Sequence, residues 1–273
     1  MSVPDTENLF AGSIPEFYDT KLVPLLFEPH ATDLANRVAS HSVARVLEIA
    51  AGTGAATRAL ASVLPLEVSI VATDLSQPML DRAQAIGIQR PVLWRQADAM
   101  ELPFADQAFD AVVCQFGAMF FPNKRQAFSE VRRVLKRGGV FIFSTWDRVE
   151  ENEFANTVVT AVESLFPSNP PRFITQTPHG YYDHRVIMRD LLDAGFTSAA
   201  QISTVTARSR AESPRMPAVA FCQGTPLRNE IEARDASRLS EVTDVVTEAL
   251  AQDFGRGAVD GKMQAHIVTV ENR

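Results

Sequence analysis

The chain has 273 residues, 46% hydrophobic and 22% charged, with 26 Lys and Arg against 33 Asp and Glu for a net charge of −7. Those fractions describe an ordinary globular protein with enough chain for a large core. The acidic balance argues against a fold that holds many phosphates, so no nucleic-acid partner is expected.

Cys114 and Cys222 form no CxxC pair, so neither a disulfide framework nor a metal site is expected, and a reducing, cytoplasmic setting fits. The first eight residues, Met-Ser-Val-Pro-Asp-Thr-Glu-Asn, are polar and acidic and do not read as a signal peptide. No apolar run approaches the length that spans a bilayer, so no membrane partner is expected.

In chain order, residues 43–50 read as a first strand, 55–63 as a helix closed by Pro65, and 68–75 as a second strand. Residues 77–86 read as a helix with Pro78 in its first turn, where the missing N–H costs little. Residues 92–98 are a third strand. Residues 109–116 are a fourth, nearly all apolar, as a strand buried on both faces should be. A helix over 124–135 places Phe128, Val131 and Leu135 at helical spacing, with Lys136-Arg-Gly-Gly139 as its stop. Residues 140–146 are a fifth strand. Such repeated strand–helix units predict an α/β, doubly wound, mostly parallel sheet with helices on both faces.

The second half is less regular. Residues 184–194 read as a helix, 199–208 as a strand, 213–254 as mostly helical, and 266–270 as a last strand. That makes seven strands. The segments 147–183 and 213–258 are expected to be insertions over the C-terminal edge of the sheet, where ligands of open α/β sheets bind.

The first strand runs into Val46-Leu-Glu-Ile-Ala-Ala-Gly-Thr-Gly54. Glycines there let the chain turn sharply and let a ligand approach the backbone. Glu48 beside that turn suits a cationic ligand group and would oppose a pyrophosphate. Asp74 ends the second strand, where an acid can accept both hydroxyls of a ribose; NAD and S-adenosylmethionine sites share that feature. Asp98 ends the third. Three acids at the ends of three successive strands point to a ligand crevice. The dinucleotide fingerprint fails at Thr57, where Gly or Ala is expected, and no Gly-Lys-Ser/Thr follows for a phosphate loop.

Together with Asp74-Leu-Ser-Gln-Pro-Met-Leu80, Ala97-Asp-Ala-Met-Glu-Leu-Pro-Phe104, Phe109-Asp-Ala-Val-Val-Cys-Gln-Phe116 and Leu135-Lys-Arg-Gly-Gly-Val140, this run resembles class I S-adenosylmethionine-dependent methyltransferases. The likeness is greatest to the small-molecule subgroup that includes quinone-biosynthesis methyltransferases. It covers about residues 40–147 and departs from the family at Ala50, where a glycine is usual.

The resemblance implies a Rossmann-like, seven-stranded fold and one methyltransferase domain over 1–273. Its cofactor-binding core would be 40–147, and the insertions 147–183 and 213–258 would form a lid over the substrate. It also implies S-adenosylmethionine as cofactor and S-adenosylhomocysteine as product. Glu48, Ala50, Gly52, Thr53 and Gly54 would hold the methionine portion. Asp74 would take the ribose, Leu75 and Met79 the adenine or ribose faces, and Asp98, Ala99 and Met100 the adenine edge and ring. Gln115 and Phe116 would lie near the sulfonium, and Tyr18 would close over the cofactor.

Methyl transfer asks the protein to align its reactants and exclude water, and asks for a base only when the acceptor still carries its proton. His30, His41, His179, His184 and His266 are candidates for that base, and none is assigned. No Asn/Asp-Pro-Pro-aromatic run follows the fourth strand, which disfavours amino-group methylation of nucleobases or glutamine. Phe120, Trp146, Tyr181 and Tyr182 are the expected substrate wall, suited to a small acceptor such as an aromatic or quinone-like molecule methylated at O, C or N. Two alternatives stay open: an NAD(P)-dependent oxidoreductase, which would want a Tyr-x-x-x-Lys pair not found here, and a non-catalytic cofactor-binding protein.

Overall fold

The computed structural model describes residues 14–273; the polar first eight residues lie outside the described ones. The described chain opens with a helical run. It comprises α1 (Ile14–Phe17), a π-helical stretch Tyr18–Phe27, and α2 (Glu28–Ala39). Buried Ala31, Leu34, Ala35 and Val38 recur along α2 at helical spacing and give it one apolar stripe.

The expected strand–helix alternation follows. It runs β1 (Arg45–Glu48), α3 (Ala55–Val63), β2 (Ser69–Asp74), α4 (Gln77–Ile86), β3 (Val92–Gln96), β4 (Phe109–Gln115), α5 (Lys124–Val134) and β5 (Leu135–Trp146). Beyond it lie α6 (Glu153–Leu165), α7 (Phe173–Gln176), α8 (His184–Asp193) and β6 (Gln201–Ala211). The chain ends with α9 (Arg215–Gly224), α10 (Leu227–Asp235), α11 (Leu239–Phe254) and β7 (Val259–Glu271).

The sheet has seven strands in the order β3-β2-β1-β4-β5-β7-β6. Strands β1 to β5 pair in parallel, and β7 runs antiparallel between β5 and β6. The order reverses between β1 and β4, so the crevice at their C-terminal ends is the topological switch point. One face of the sheet packs Leu34, Val38 and Leu60 of α2 and α3 against Val46, Val113 and Ile142. The other packs Phe128, Val131, Ile187 and Leu191 of α5 and α8 against Leu47, Val112, Phe141 and Phe143. Each fully buried Leu, Val or Phe contributes about 1.5–3 kcal/mol relative to an exposed one.

Two expectations need correction. Lys136-Arg-Gly-Gly139 does not follow a helix as a free stop; α5 ends at Val134 and these residues form a bulged start of β5. Phe109 pairs with Leu135 but Ala111 pairs with Val140, so the extra residues are looped out. Gly138 takes φ +76° there, and Lys136 pairs with Asp110 at 2.6 Å. The segment 147–183, read as irregular, contains the 13-residue helix α6.

Helices α6, α9, α10 and α11 build a second apolar core with Leu22 and Leu25 of the π-helical stretch. This core sits on the sheet through Ala211 and Val259. Among the described residues no helix is long and apolar enough to cross a membrane.

Candidate active site

The crevice is built at the end of β1. Ala50, Gly52 and Gly54 all take positive φ, at +53°, +56° and +81°. The chain therefore turns back tightly before α3, with Gly54 as the residue preceding the helix. A Cβ on Gly54 would lie 2.9 Å from the Trp94 ring, so only glycine fits there. The amide of Gly52 donates to Asp74 Oδ2 at 2.7 Å, and that of Ser76 donates to Oδ1 at 2.8 Å. These two bonds aim the Asp74 carboxyl at the turn.

A cavity of about 930 Å³ opens above this turn. Eleven of the fourteen expected cofactor residues line it: Tyr18, Ala50, Gly52, Asp74, Leu75, Met79, Asp98, Ala99, Met100, Gln115 and Phe116. Asp98 Oδ1 accepts from the Met100 amide at 2.8 Å, which folds the loop after β3 toward the crevice. Gln115 is tied to the helical run by a 2.8 Å bond from Nε2 to the Phe27 carbonyl. Tyr18 stacks on Phe27 with centroids 5.1 Å apart. Its ring comes within 3.9 Å of where a side chain on Gly52 would begin. Asp19 anchors the run that carries it, through Arg82 at 2.8 Å and Arg58 at 3.8 Å.

The structure places the other three, Glu48, Thr53 and Gly54, beneath the lining rather than on it. Glu48 is 1% exposed, and its Oε2 accepts from Thr57 Oγ1 at 2.6 Å. Burial pushes its carboxyl up to about 8. Thr57, the residue that breaks the dinucleotide fingerprint, is thus the partner of the buried acid. Asp74 is also pushed up by burial, although its backbone amides oppose the shift.

These features fit the cofactor that the sequence resemblance implies. Among the lining residues the charged side chains are Asp74 and Asp98, both carboxylates. A pyrophosphate would meet these acids and no lining cation; hydroxyls and a cationic group meet the partners they need. Ser76 lines the same wall beside Asp74, and its buried Oγ has no hydrogen-bond partner among the described residues. Leu75, Met79 and Met100 add the apolar surface that a flat ring requires.

A second cavity, of about 760 Å³, adjoins the first and shares Tyr18, Phe116 and Phe120 with it. Its walls are mostly apolar, and the apolar part comes from the helical run (Leu22, Phe27), from Met119 and Trp146, and from the second core (Phe154, Phe221). Trp146 and Phe116 stack with centroids 3.9 Å apart and planes 7° from parallel, which makes one flat partition.

Of the expected substrate residues, Phe120 and Trp146 line this second cavity, and Tyr181 and Tyr182 line neither. Tyr181 turns into the α5–α8 core, where its hydroxyl donates to Asp190 at 2.9 Å. Tyr182 is 41% exposed. Leu22 and Phe27 on the wall were not singled out from sequence, whereas Phe154, Phe173 and Phe221 are insertion aromatics expected there; the helical spacing of the first two was the available signal. His179, one of five histidines weighed, reaches the cavity, whereas His30 lies behind its wall against Phe116 and Trp146. His184 and His266 meet each other at 4.3 Å, away from both cavities.

Residues 47–143 match a family model described as a methyltransferase domain. Over 101 residues the chain is 44% identical to the demethylmenaquinone methyltransferase of Lactiplantibacillus plantarum, covering 36% of this chain and 43% of that one. Over 165 residues it is 31% identical to a ubiquinone/menaquinone biosynthesis C-methyltransferase of Ectopseudomonas mendocina, covering 56% and 64%. The chain therefore spans between about two fifths and two thirds of these relatives. The YcgJ protein of Bacillus subtilis shares the fold, with a TM-score of 0.57, 22% identity, and coverage of 90% of this chain and 99% of that one.

Proposed function

We propose that this chain, which carries a class I S-adenosylmethionine-dependent methyltransferase domain over residues 47–143, methylates an apolar small molecule seated in the second cavity. The observation that carries this reading is the pair of cavities joined at Tyr18, Phe116 and Phe120. One presents carboxylates and apolar surface; the other is apolar and lies directly beside it.

Asp74 would receive the ribose hydroxyls, with Ser76 Oγ as a further partner. Leu75, Met79 and Met100 would cover the adenine, and Asp98 and Ala99 would meet its edge. Gln115 and Phe116 would flank the methionine side. Ala50 and Gly52 would form the floor, with Glu48 supplying negative charge from beneath Gly52 when ionised. The bound cofactor supplies a methyl group already activated on a sulfonium. The chain then has to position the acceptor and keep water out. Tyr18 and the helical run would close the crevice. Segments 147–183 and 213–258 would act as the substrate lid, since their helices form much of the acceptor cavity's wall.

The quinone-biosynthesis relatives make a flat, apolar acceptor the first class to try. The oxidoreductase alternative is disfavoured by the acidic crevice and by Thr57, whose side chain is committed to Glu48.

Thermal unfolding tests the cofactor assignment. A ligand present at a hundred times its dissociation constant adds about 2.7 kcal/mol of stability, a rise of several degrees for a chain of this size. The midpoint should rise with S-adenosylmethionine and S-adenosylhomocysteine and stay put with NADH, and Asp74→Ala should abolish the rise. A rise with NADH alone would contradict the assignment.

A further inference from the structure

The acceptor cavity is mostly apolar, and one of its few polar side chains keeps a ring nitrogen without a hydrogen bond among the described residues. His179 is 7% exposed and lines the cavity, its ring 6.1 Å from Trp146. Its Nδ1 lies 2.7 Å from the backbone carbonyl of Asp147. A carbonyl oxygen only accepts, so Nδ1 carries the hydrogen and the neutral ring keeps its lone pair on Nε2.

Of the other polar side chains on that wall, Tyr18 holds its hydroxyl toward Gly52 of the neighbouring crevice, 4.0 Å from where a Cβ there would lie, and four more are engaged. Asn152 donates from Nδ2 to the Arg148 carbonyl at 3.2 Å and accepts at Oδ1 from the Gln264 amide at 3.0 Å. Ser209 donates to the Leu25 carbonyl at 2.9 Å, and Thr225 donates to the Phe221 carbonyl at 2.7 Å. Lys262 is paired with Glu151 at 2.6 Å. Among the described residues Nε2 of His179 makes no hydrogen bond, and its ring lines a mostly apolar space.

We propose that His179 is the specificity-determining residue of the acceptor cavity, and that it accepts a hydrogen bond from a hydroxyl on a flat apolar molecule. This rests on the reading of that cavity as the acceptor site. A lone pair held by a fixed tautomer rewards a donor and repels an acceptor, so a carbonyl, ether or carboxylate at the same place would face it lone pair to lone pair. Protonating the ring to suit those groups is opposed by burial, which holds its pKa down at about 4. The selected class is therefore an apolar alcohol or phenol rather than its ether, its ketone or a carboxylic acid.

Calorimetric titration of the full chain with 2-naphthol, 2-methoxynaphthalene and 2-naphthoate tests this. The three share a ring system and differ in what they offer to Nε2. The naphthol should bind about tenfold more tightly than the ether, the effect of one net hydrogen bond, and the naphthoate should bind most weakly. His179→Leu should remove the naphthol preference by weakening naphthol binding, and should leave the ether bound no more weakly, since the lone pair that opposes its oxygen is gone. His179→Gln keeps an acceptor oxygen and should retain part of the preference, which a merely structural role would not produce.

Equal affinities for naphthol and ether in the wild type, or a preference that survives His179→Leu, would overturn the assignment. So would the absence of binding by all three probes. Binding of S-adenosylhomocysteine, followed separately, distinguishes the two readings. Its failure would strike the methyl-transfer reading, whereas a flat naphthol-to-ether ratio would strike His179 alone.

Discussion

His30 sits edge-on to Phe116 and Trp146, at 5.3 and 5.4 Å, with neither ring nitrogen hydrogen-bonded among the described residues. It is 1% exposed, and burial lowers its pKa to about 4, with the Asp33 carboxylate opposing the shift. A depressed histidine contributes stability that is present above its unfolded pKa of 6.5 and is lost as the pH falls through 4. Glu48 runs the other way. Its raised carboxyl contributes stability below its unfolded value, which is lost as the pH rises through about 8. Below pH 6.5 the protein should therefore lose up to about 1.4 kcal/mol per pH unit for each such histidine. Urea titrations of wild type and His30→Leu between pH 4 and 7.5 check this. The variant should lose one proton's share of the slope and be no less stable at pH 7.5, because no hydrogen bond is removed. An unchanged slope would mean that His30 is charged or solvated in the fold.

The turn between β1 and α3 is the element on which the crevice depends, and it carries a local strain. Ala50 holds φ +53°, in the left-handed region that costs an alanine roughly 1–2 kcal/mol. Glycine, usual here in the family that the sequence resembles, takes this φ at no steric cost. Ala50→Gly should relieve the strain and, after the added entropy cost of glycine, stabilise the fold by up to about 1 kcal/mol in chemical unfolding. A loss of stability would show that contacts of the alanine methyl outweigh its backbone strain. What was legible at this scale followed from strong local signals. Helices α3 and α4 fall at the expected residues because Gly54 and Pro78 mark their starts. Strand β4 is apolar because both of its faces are covered. Helix α2 carries the period of Ala31, Leu34, Ala35 and Val38, but its small alanines make that apolar stripe weak in the sequence. Helix α6 was obscured by its Pro- and Asn-rich surroundings. In the site, the strand-end acids Asp74 and Asp98 were readable from position alone. The burial of Glu48 under Thr57 and the pairing of Tyr181 with Asp190 were not, because contacts across packed elements decide them.

Across the whole molecule, two cores divide the work. The sheet and its flanking helices hold the Gly turn, Asp74 and Asp98 in fixed relation, and the second core of α6, α9, α10 and α11 closes an apolar space beside them. The stacked pair Phe116 and Trp146 stands between these parts, and Phe116 faces both cavities. We predict that one ligand spans the acidic crevice and ends at the mouth of the apolar cavity. A crystal structure of the full chain with S-adenosylhomocysteine tests it most directly. The ribose should lie on Asp74, the adenine between Met79 and Met100, and the sulfur at the opening framed by Tyr18, Phe116 and Phe120. An adenosine bound elsewhere, or a sulfur turned away from that opening, would contradict it.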